Sequence, residues 1–231
     1  MAQTLPVTIS AMFRRLLPLL LLAIPVAAQS APQVFEVANA PVPMRVLVQS
    51  PAETETEMQV ICLFQASKTN PLNGSLEETD DKLHGLLGSV RRPVLFGGAL
   101  GETLLVTPPA GTLHAHRLLI VGLGDAYTFT PERMEVVGAI VYREAQRLGV
   151  RDPFFAPTIH DGGVDKFSTG EVAGSFVRGF LHAIDTEQVL VALHASPGDP
   201  PRSLTYLAGE KFAEGTKQGI EKALGERKAN P

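Results

Sequence analysis

The chain has 231 residues, 20 Lys and Arg against 24 Asp and Glu, a net charge of −4 and a single cysteine. The acidic balance argues against a nucleic-acid partner, whose phosphates are neutralised by clustered Lys and Arg. The lone Cys62 excludes an intrachain disulfide, so stability has to come from the core.

Arg14 and Arg15 precede an apolar run from Leu16 to Val26, and the small residues Ala27 and Ala28 follow. Positive charge, apolar core and small residues, in that order, form a secretory signal. The run is about 11 residues, short of the roughly 20 that a bilayer-spanning helix needs. Cleavage is expected after Ala28, with Val26 and Ala28 in the small-residue positions. Met12 is an alternative start, closer to the charged pair. Residues 1–28 therefore read as a signal peptide and residues 29–231 as a single exported domain, periplasmic or secreted. Without Arg14 and Arg15 the net charge is −6. The remaining length, about 200 residues, suits one domain with a sizeable core.

In chain order, residues 34–37 and 44–48 read as short strands divided by a turn at Pro41 and Pro43. Residues 50–57 form a polar, acidic linker. Residues 59–65 are a continuous apolar run, the pattern of a strand covered on both faces. Cys62, inside that run, reads as a small buried hydrophobe, not a reactive thiol. After a loop at 70–74, Ser75 with Glu78 three residues later has the form of a capping box. It opens a helix whose apolar face is Leu83, Leu86 and Leu87. Residues 102–107 and 117–123 are further strands, the second without a polar break.

Thr130 is the expected N-cap of the next helix and Pro131 its first residue. Met134, Val137, Val141, Ala145 and Leu148 recur along one face, and Gly149 ends the helix. Residues 152–159 are extended. Ser168 and Glu171 make a second capping box, and Val172, Phe176, Phe180 and Ile184 line the helix behind it. Residues 188–194 read as a strand, 197–201 as a Pro-rich loop, and 209–224 as a last helix with Phe212, Ile220 and Leu224 inward. Alternation of buried strands with amphipathic helices predicts an α/β fold, a three-layer α/β/α sandwich. The early strands have no helices between them, so the sheet is expected to be mixed.

Two loops carry candidate ligand-binding residues. Gly122-Leu123-Gly124-Asp125 leaves a buried strand, where glycines let backbone approach a phosphate at the carboxyl end of a sheet. A dinucleotide fingerprint needs a third glycine where Tyr127 stands, so the alternative is a tight turn. His160-Asp161-Gly162-Gly163 either cradles an anionic ligand or turns the chain. The candidates are Gly122, Gly124, Asp125, Asp161, Gly162 and Gly163. His114 and His116, two apart, would face one side of an extended segment, a metal-capable geometry that lacks a third ligand at a recognised spacing. His84, His182 and His194 are scattered. Ser175 lies outside a Gly-x-Ser-x-Gly elbow, because position 177 is Val177.

The connected pattern resembles the N-terminal domain of the leucyl aminopeptidase family, peptidase family M17. The residues that carry it are the strand Val60 to Phe64, the acidic helix near Ser75 to Leu87, Gly101-Glu-Thr-Leu-Leu-Val106, and Arg117-Leu-Leu-Ile-Val-Gly-Leu-Gly124. They continue through Phe129-Thr-Pro-Glu132, the Gly138-Ala139 step and the glycine-punctuated helix from Gly170 to Phe180. The resemblance implies a macro-domain-like fold. It also implies that the two metal ions and the catalytic lysine and arginine belong to a separate C-terminal domain marked by Asn-Thr-Asp-Ala-Glu-Gly-Arg. That stretch does not occur in this sequence, so no catalytic residue, metal ligand or cofactor is assigned here. The expectation is an exported, non-catalytic domain that binds or assembles with a protein partner or with itself. It would have no nucleic-acid partner and no stable membrane anchor once the signal is cleaved. Two other readings stay open: a small-ligand module for a nucleotide or ADP-ribose-like molecule, and a subunit of a separately encoded metalloaminopeptidase.

Overall fold

The computed structural model describes residues 32–68, 70–199 and 201–229. The expected signal peptide, residues 1–28, lies outside them. Seven strands and five helices follow one another as β1 (Val34–Glu36), β2 (Met44–Val48), β3 (Gln59–Leu63), α1 (Gly74–Lys82), α2 (Leu86–Val90), β4 (Thr103–Val106), β5 (Leu118–Gly122), α3 (Arg133–Arg147), β6 (Phe154–Ala156), α4 (Thr169–Ala192), β7 (Leu204–Ala208) and α5 (Glu210–Ala229). One sheet holds all seven strands in the order β1-β2-β7-β6-β3-β5-β4. Neighbours from β2 to β5 run parallel, and the edge strands β1 and β4 run antiparallel. The mixed sheet is as expected. No helix of the described residues is long and apolar enough to cross a membrane.

The central strands are buried on both faces, which is why their sequences show no alternation. In β3, Val60 and Cys62 face one layer, with Met134, Val137, Val141, Phe176, Phe180 and Ile220 of α3, α4 and α5. Ile61 and Leu63 face the other, with Leu76, Leu83 and Leu87 of the α1–α2 segment. The result is a three-layer α/β/α sandwich. Burial pushes the Cys62 thiol well up from its ordinary value, so it sits in the core as a hydrophobe.

Cap chemistry explains where the helices begin and end. The Ser168 hydroxyl accepts from the Glu171 amide at 3.2 Å, and the Glu171 carboxylate accepts from the Ser168 amide at 2.9 Å. The box expected at α4 is therefore formed, and its hydrogen bonds hold the Glu171 carboxyl below its ordinary value. Ser168→Ala should lower stability by about 1 kcal/mol, read as a smaller urea midpoint with an unchanged slope. At the end of α3, Gly149 takes φ 69°. The Val150 amide donates to Ala145 O at 2.8 Å and the Gly149 amide to Gln146 O at 3.1 Å, a Schellman closure. The start of α3 lies later than Thr130. The amides of Arg133, Met134 and Glu135 donate to Thr130, Pro131 and Glu132, three residues back, so the helix opens through one tight turn.

Three further expectations need correction. The Ser75–Glu78 capping box is not formed: Asn73 occupies the N-cap position, and both side chains are engaged across the fold. The helix there is also broken, because His84 at φ 56° and Gly85 at φ 79° separate α1 from α2. Residues 188–194 are not a strand. No turn follows Ile184, so α4 runs on to Ala192 and leaves Val189 58% and Leu193 70% exposed. The strand in that place is β7, Leu204–Ala208, which was not anticipated. Lastly, the stretch 50–57 is more than a linker. It carries a 3-10 turn at Pro51–Glu53, and the buried Thr54 hydroxyl donates to the Gln59 side chain at 2.8 Å.

Candidate functional site

Because β2, β7 and β6 are parallel, their carboxyl ends and the loops that leave them gather on one edge of the sheet. A cavity of about 370 Å³ opens there. Its floor is the strand ends. Its walls are residues 48–51 after β2, 157–161 after β6, and the β7–α5 junction with Phe212 and Thr216. Ser75 and Glu78, on the first turns of α1, and Thr169 and Val172, at the start of α4, close the remaining sides.

The loop after β6 is held by a strained residue. Thr158 takes φ 50°, which a β-branched side chain rarely adopts. Its hydroxyl accepts from the Cys62 amide at 3.0 Å and donates to Cys62 O at 2.7 Å, continuing the β6–β3 ladder through a side chain. The chain turns sharply there, with the Gly162 amide donating to Thr158 O at 3.0 Å and the Gly163 amide to His160 O at 2.9 Å. His160 and Asp161 are thereby placed on the cavity wall. The His160 ring stacks on Phe212 with centroids 4.8 Å apart and planes 9° from parallel.

Most of the cavity surface is apolar. The Ser75 hydroxyl donates to Asp161 Oδ2, and the Ser50 hydroxyl donates to Glu78 Oε2 at 2.6 Å. Asp161 is also a structural residue. Its carbonyl accepts from the Asn73 amide at 3.2 Å, and its carboxylate fills the space a Cβ on Gly74 would need. That carboxylate lies at the N-terminal end of α1, where a negative charge is favourable. Tyr206 lines the cavity, 2% exposed, and its hydroxyl is buried without a hydrogen-bond partner among the described residues. Burial pushes that phenol well above its ordinary value.

Of the six candidates, Asp161 alone lines this cavity. Gly122 closes β5 against the 97–102 loop, where a Cβ would lie 2.1 Å from Ala99 O. The Gly122 amide donates to Glu102 O at 2.8 Å, and its carbonyl accepts from the Gly101 amide at 3.0 Å. The two glycine motifs of the sequence are thus one packed joint. Gly124, at φ 77°, donates to Gly98 O at 2.8 Å and accepts from the Gln65 amide at 3.0 Å. Asp125 accepts from the Tyr127 amide at 2.9 Å and closes its own turn. Gly162 packs on the Phe64 ring, 2.7 Å from where its Cβ would be, and Gly163 at φ 85° turns the chain. His114 and His116 are both exposed on either side of buried Ala115. Among the described residues no group of three or more His, Cys, Asp or Glu is placed to hold a metal ion. Ser75, Glu78, Tyr206 and Phe212 are the wall residues that sequence reasoning did not assign to a site. The sequence signal at Ser75 and Glu78 is their capping-box spacing, which points to a helix start and not to a site.

Residues 60–188 match the family model of the cytosol aminopeptidase family, N-terminal domain. No curated protein matches the chain. Among solved structures, the Oceanobacillus iheyensis macrodomain with ADP is 14% identical, with a TM-score of 0.54 over 87% of this chain and 100% of that one. The Trypanosoma brucei macrodomain in complex with ADP-ribose is 14% identical, with a TM-score of 0.53 over 77% of this chain and 68% of that one. A tomato leucine aminopeptidase mutant is 17% identical, with a TM-score of 0.53 over 83% of this chain and 38% of that one. At these identities the likeness is one of fold, and the fold is macrodomain-like. With the family match spanning more than half of its length, the chain belongs to the cytosol aminopeptidase family, as a representative of its N-terminal domain.

Proposed function

We propose that this chain acts as an exported, non-catalytic binding domain whose binding surface is the cavity at the carboxyl ends of β2, β7 and β6. The observation that carries the reading is the cavity itself. It is preformed, about 370 Å³ in volume, and built by five separate segments that meet at the end of a parallel sheet, the place where α/β sheets bind ligands. The residues that shape it supply hydrogen-bonding side chains, and among the described residues no group of three or more His, Cys, Asp or Glu is placed to hold a metal ion. The parts of a family peptidase that do chemistry are, by the resemblance, on a different domain. The order of charged, apolar and small residues over positions 14–28 supports export.

A second reading, a nucleotide or ADP-ribose module, is favoured by the fold shared with the Trypanosoma brucei macrodomain in complex with ADP-ribose. The wall argues the other way: no Lys or Arg lines the cavity, whereas Glu78 and Asp161 do. A pyrophosphate placed beside two carboxylates is repelled.

The test uses the purified protein, leucine p-nitroanilide, and added Zn²⁺ or Mn²⁺. No turnover is expected, and calorimetry with ADP-ribose should register no binding heat. Turnover abolished by Asp161→Ala would overturn the non-catalytic reading. Saturable ADP-ribose binding would replace it with the second.

A further inference from the structure

We propose that the cavity takes a small organic cation, a primary ammonium carried on an apolar or aromatic body. The inference rests on the cavity being the binding surface, and it adds the chemistry of the ligand. The wall is mainly apolar, with Val48, Ala156, Ile159, Val172 and Leu207 among its residues. That surface suits a hydrocarbon body, which gains by leaving water. Its two charged residues are both carboxylates, Glu78 and Asp161. Each accepts one hydroxyl, from Ser50 and Ser75 respectively, through a single oxygen. The second oxygen of Glu78 has no hydrogen bond and no ion pair among the described residues, whereas Asp161 Oδ1 packs on Gly74, 2.6 Å from where a Cβ there would lie. No lysine or arginine lines the cavity; Lys82 pairs with Glu53, and Lys211 lies over the Phe212 ring with its Nζ 4.7 Å from the centroid.

Two carboxylates in a mainly apolar recess, one of them with a free acceptor oxygen on Glu78, favour a donor with a positive charge. An ammonium supplies three N–H donors and one compensating charge; an alcohol supplies one donor and no charge; a carboxylate supplies repulsion. The stacked His160 and Phe212 rings form an aromatic wall, against which a ring on the ligand packs edge to face or offset. About 370 Å³ is room enough for a body of one ring or a short alkyl chain.

Calorimetry with 2-phenylethylammonium, 2-phenylethanol and phenylacetate tests the proposal, because the three share a body and differ in charge. The ammonium should bind roughly tenfold or more tightly than the alcohol, a difference in keeping with charge-assisted hydrogen bonds, and phenylacetate should not bind. Glu78→Gln should weaken the ammonium and leave the alcohol unchanged. Asp161→Asn should do the same, and Glu78→Gln keeps the test decisive if loss of the Asp161 charge unfolds the start of α1. Equal binding of ammonium and alcohol, or an ammonium affinity unmoved by Glu78→Gln, overturns the charge assignment. If that binding is lost on Thr216→Phe, which fills the cavity, the binding surface survives without its charge preference. Failure of all three probes to bind overturns both the charge assignment and the cavity as the binding surface.

Discussion

Gly179→Ala is expected to cost about 3–4 kcal/mol, a loss at the upper end of single substitutions. Gly179 sits where α4 crosses α3, and a Cβ there would lie 1.8 Å from Glu135 O and 2.5 Å from the Glu135 carbonyl carbon. The obstacle is helix backbone, so no side-chain rotation relieves it, and the helices have to separate. Gly138 makes the reciprocal contact, with a Cβ position 2.0 Å from Phe176 O. Intrinsic propensity acts in the opposite sense, favouring Ala over Gly inside a helix by about 1 kcal/mol. The packing effect is larger and decides the sign. Gly225→Ala on α5 is the control: nothing lies within 4 Å of its Cβ position, so propensity acts alone and stability should rise by about 0.5–1 kcal/mol. Urea unfolding of the two variants should move the midpoint in opposite directions. A Gly179→Ala protein as stable as the parent would mean that α3 and α4 do not cross as closely as described.

Phe176→Ala is the second large effect, expected at about 3–5 kcal/mol. Phe176 is fully buried, stacked on Phe155 with centroids 3.9 Å apart and planes 12° from parallel, and set edge-on to Tyr206 at 5.7 Å. These rings come from α4, β6 and β7, and they fix the helical layer to the strands whose ends form the cavity. Truncation removes buried area, opens a void among rings that cannot collapse into it, and forfeits the stacking contribution. Urea unfolding should show the loss, and near-ultraviolet circular dichroism of the folded variant should show the altered tyrosine environment. A variant within about 1 kcal/mol of the parent would contradict this placement of the aromatic cluster.

The fold was legible where local and global signals agree. The central strands β3 and β5 announce themselves as unbroken apolar runs, and Ser168 with Glu171 caps α4 as its spacing predicts. Errors arose where one local pattern serves two structures. The apolar run 188–194 has the composition of a buried strand, but without a breaker after Ile184 it continues α4. The real strand, β7, contains Thr205 and Tyr206, polar in composition and buried in fact, so its sequence lacked the expected apolar run. Ser75 and Glu78 have capping-box spacing, yet each finds its partner far along the chain, 86 residues away for Ser75 and 28 for Glu78. The same limit applies to the site. The loop at His160 and Asp161 was visible as a loop, but its conjunction with Ser75, Glu78, Tyr206 and Phe212 is a product of topology. Conversely, the glycines at 122 and 124, which read equally as a phosphate loop or a turn, are packed against the backbone of residues 97–102.

The central claim, that the cavity beyond β2, β7 and β6 is the binding surface, is tested most directly by following backbone amide shifts of isotope-labelled protein during titration with 2-phenylethylammonium. The predicted result is a set of saturable shifts confined to the cavity wall, residues 48–51, 75–78, 156–161, 169–172 and 206–216. Saturable shifts at residues 122–125 with the cavity wall silent, or no saturable shifts at all, would contradict it.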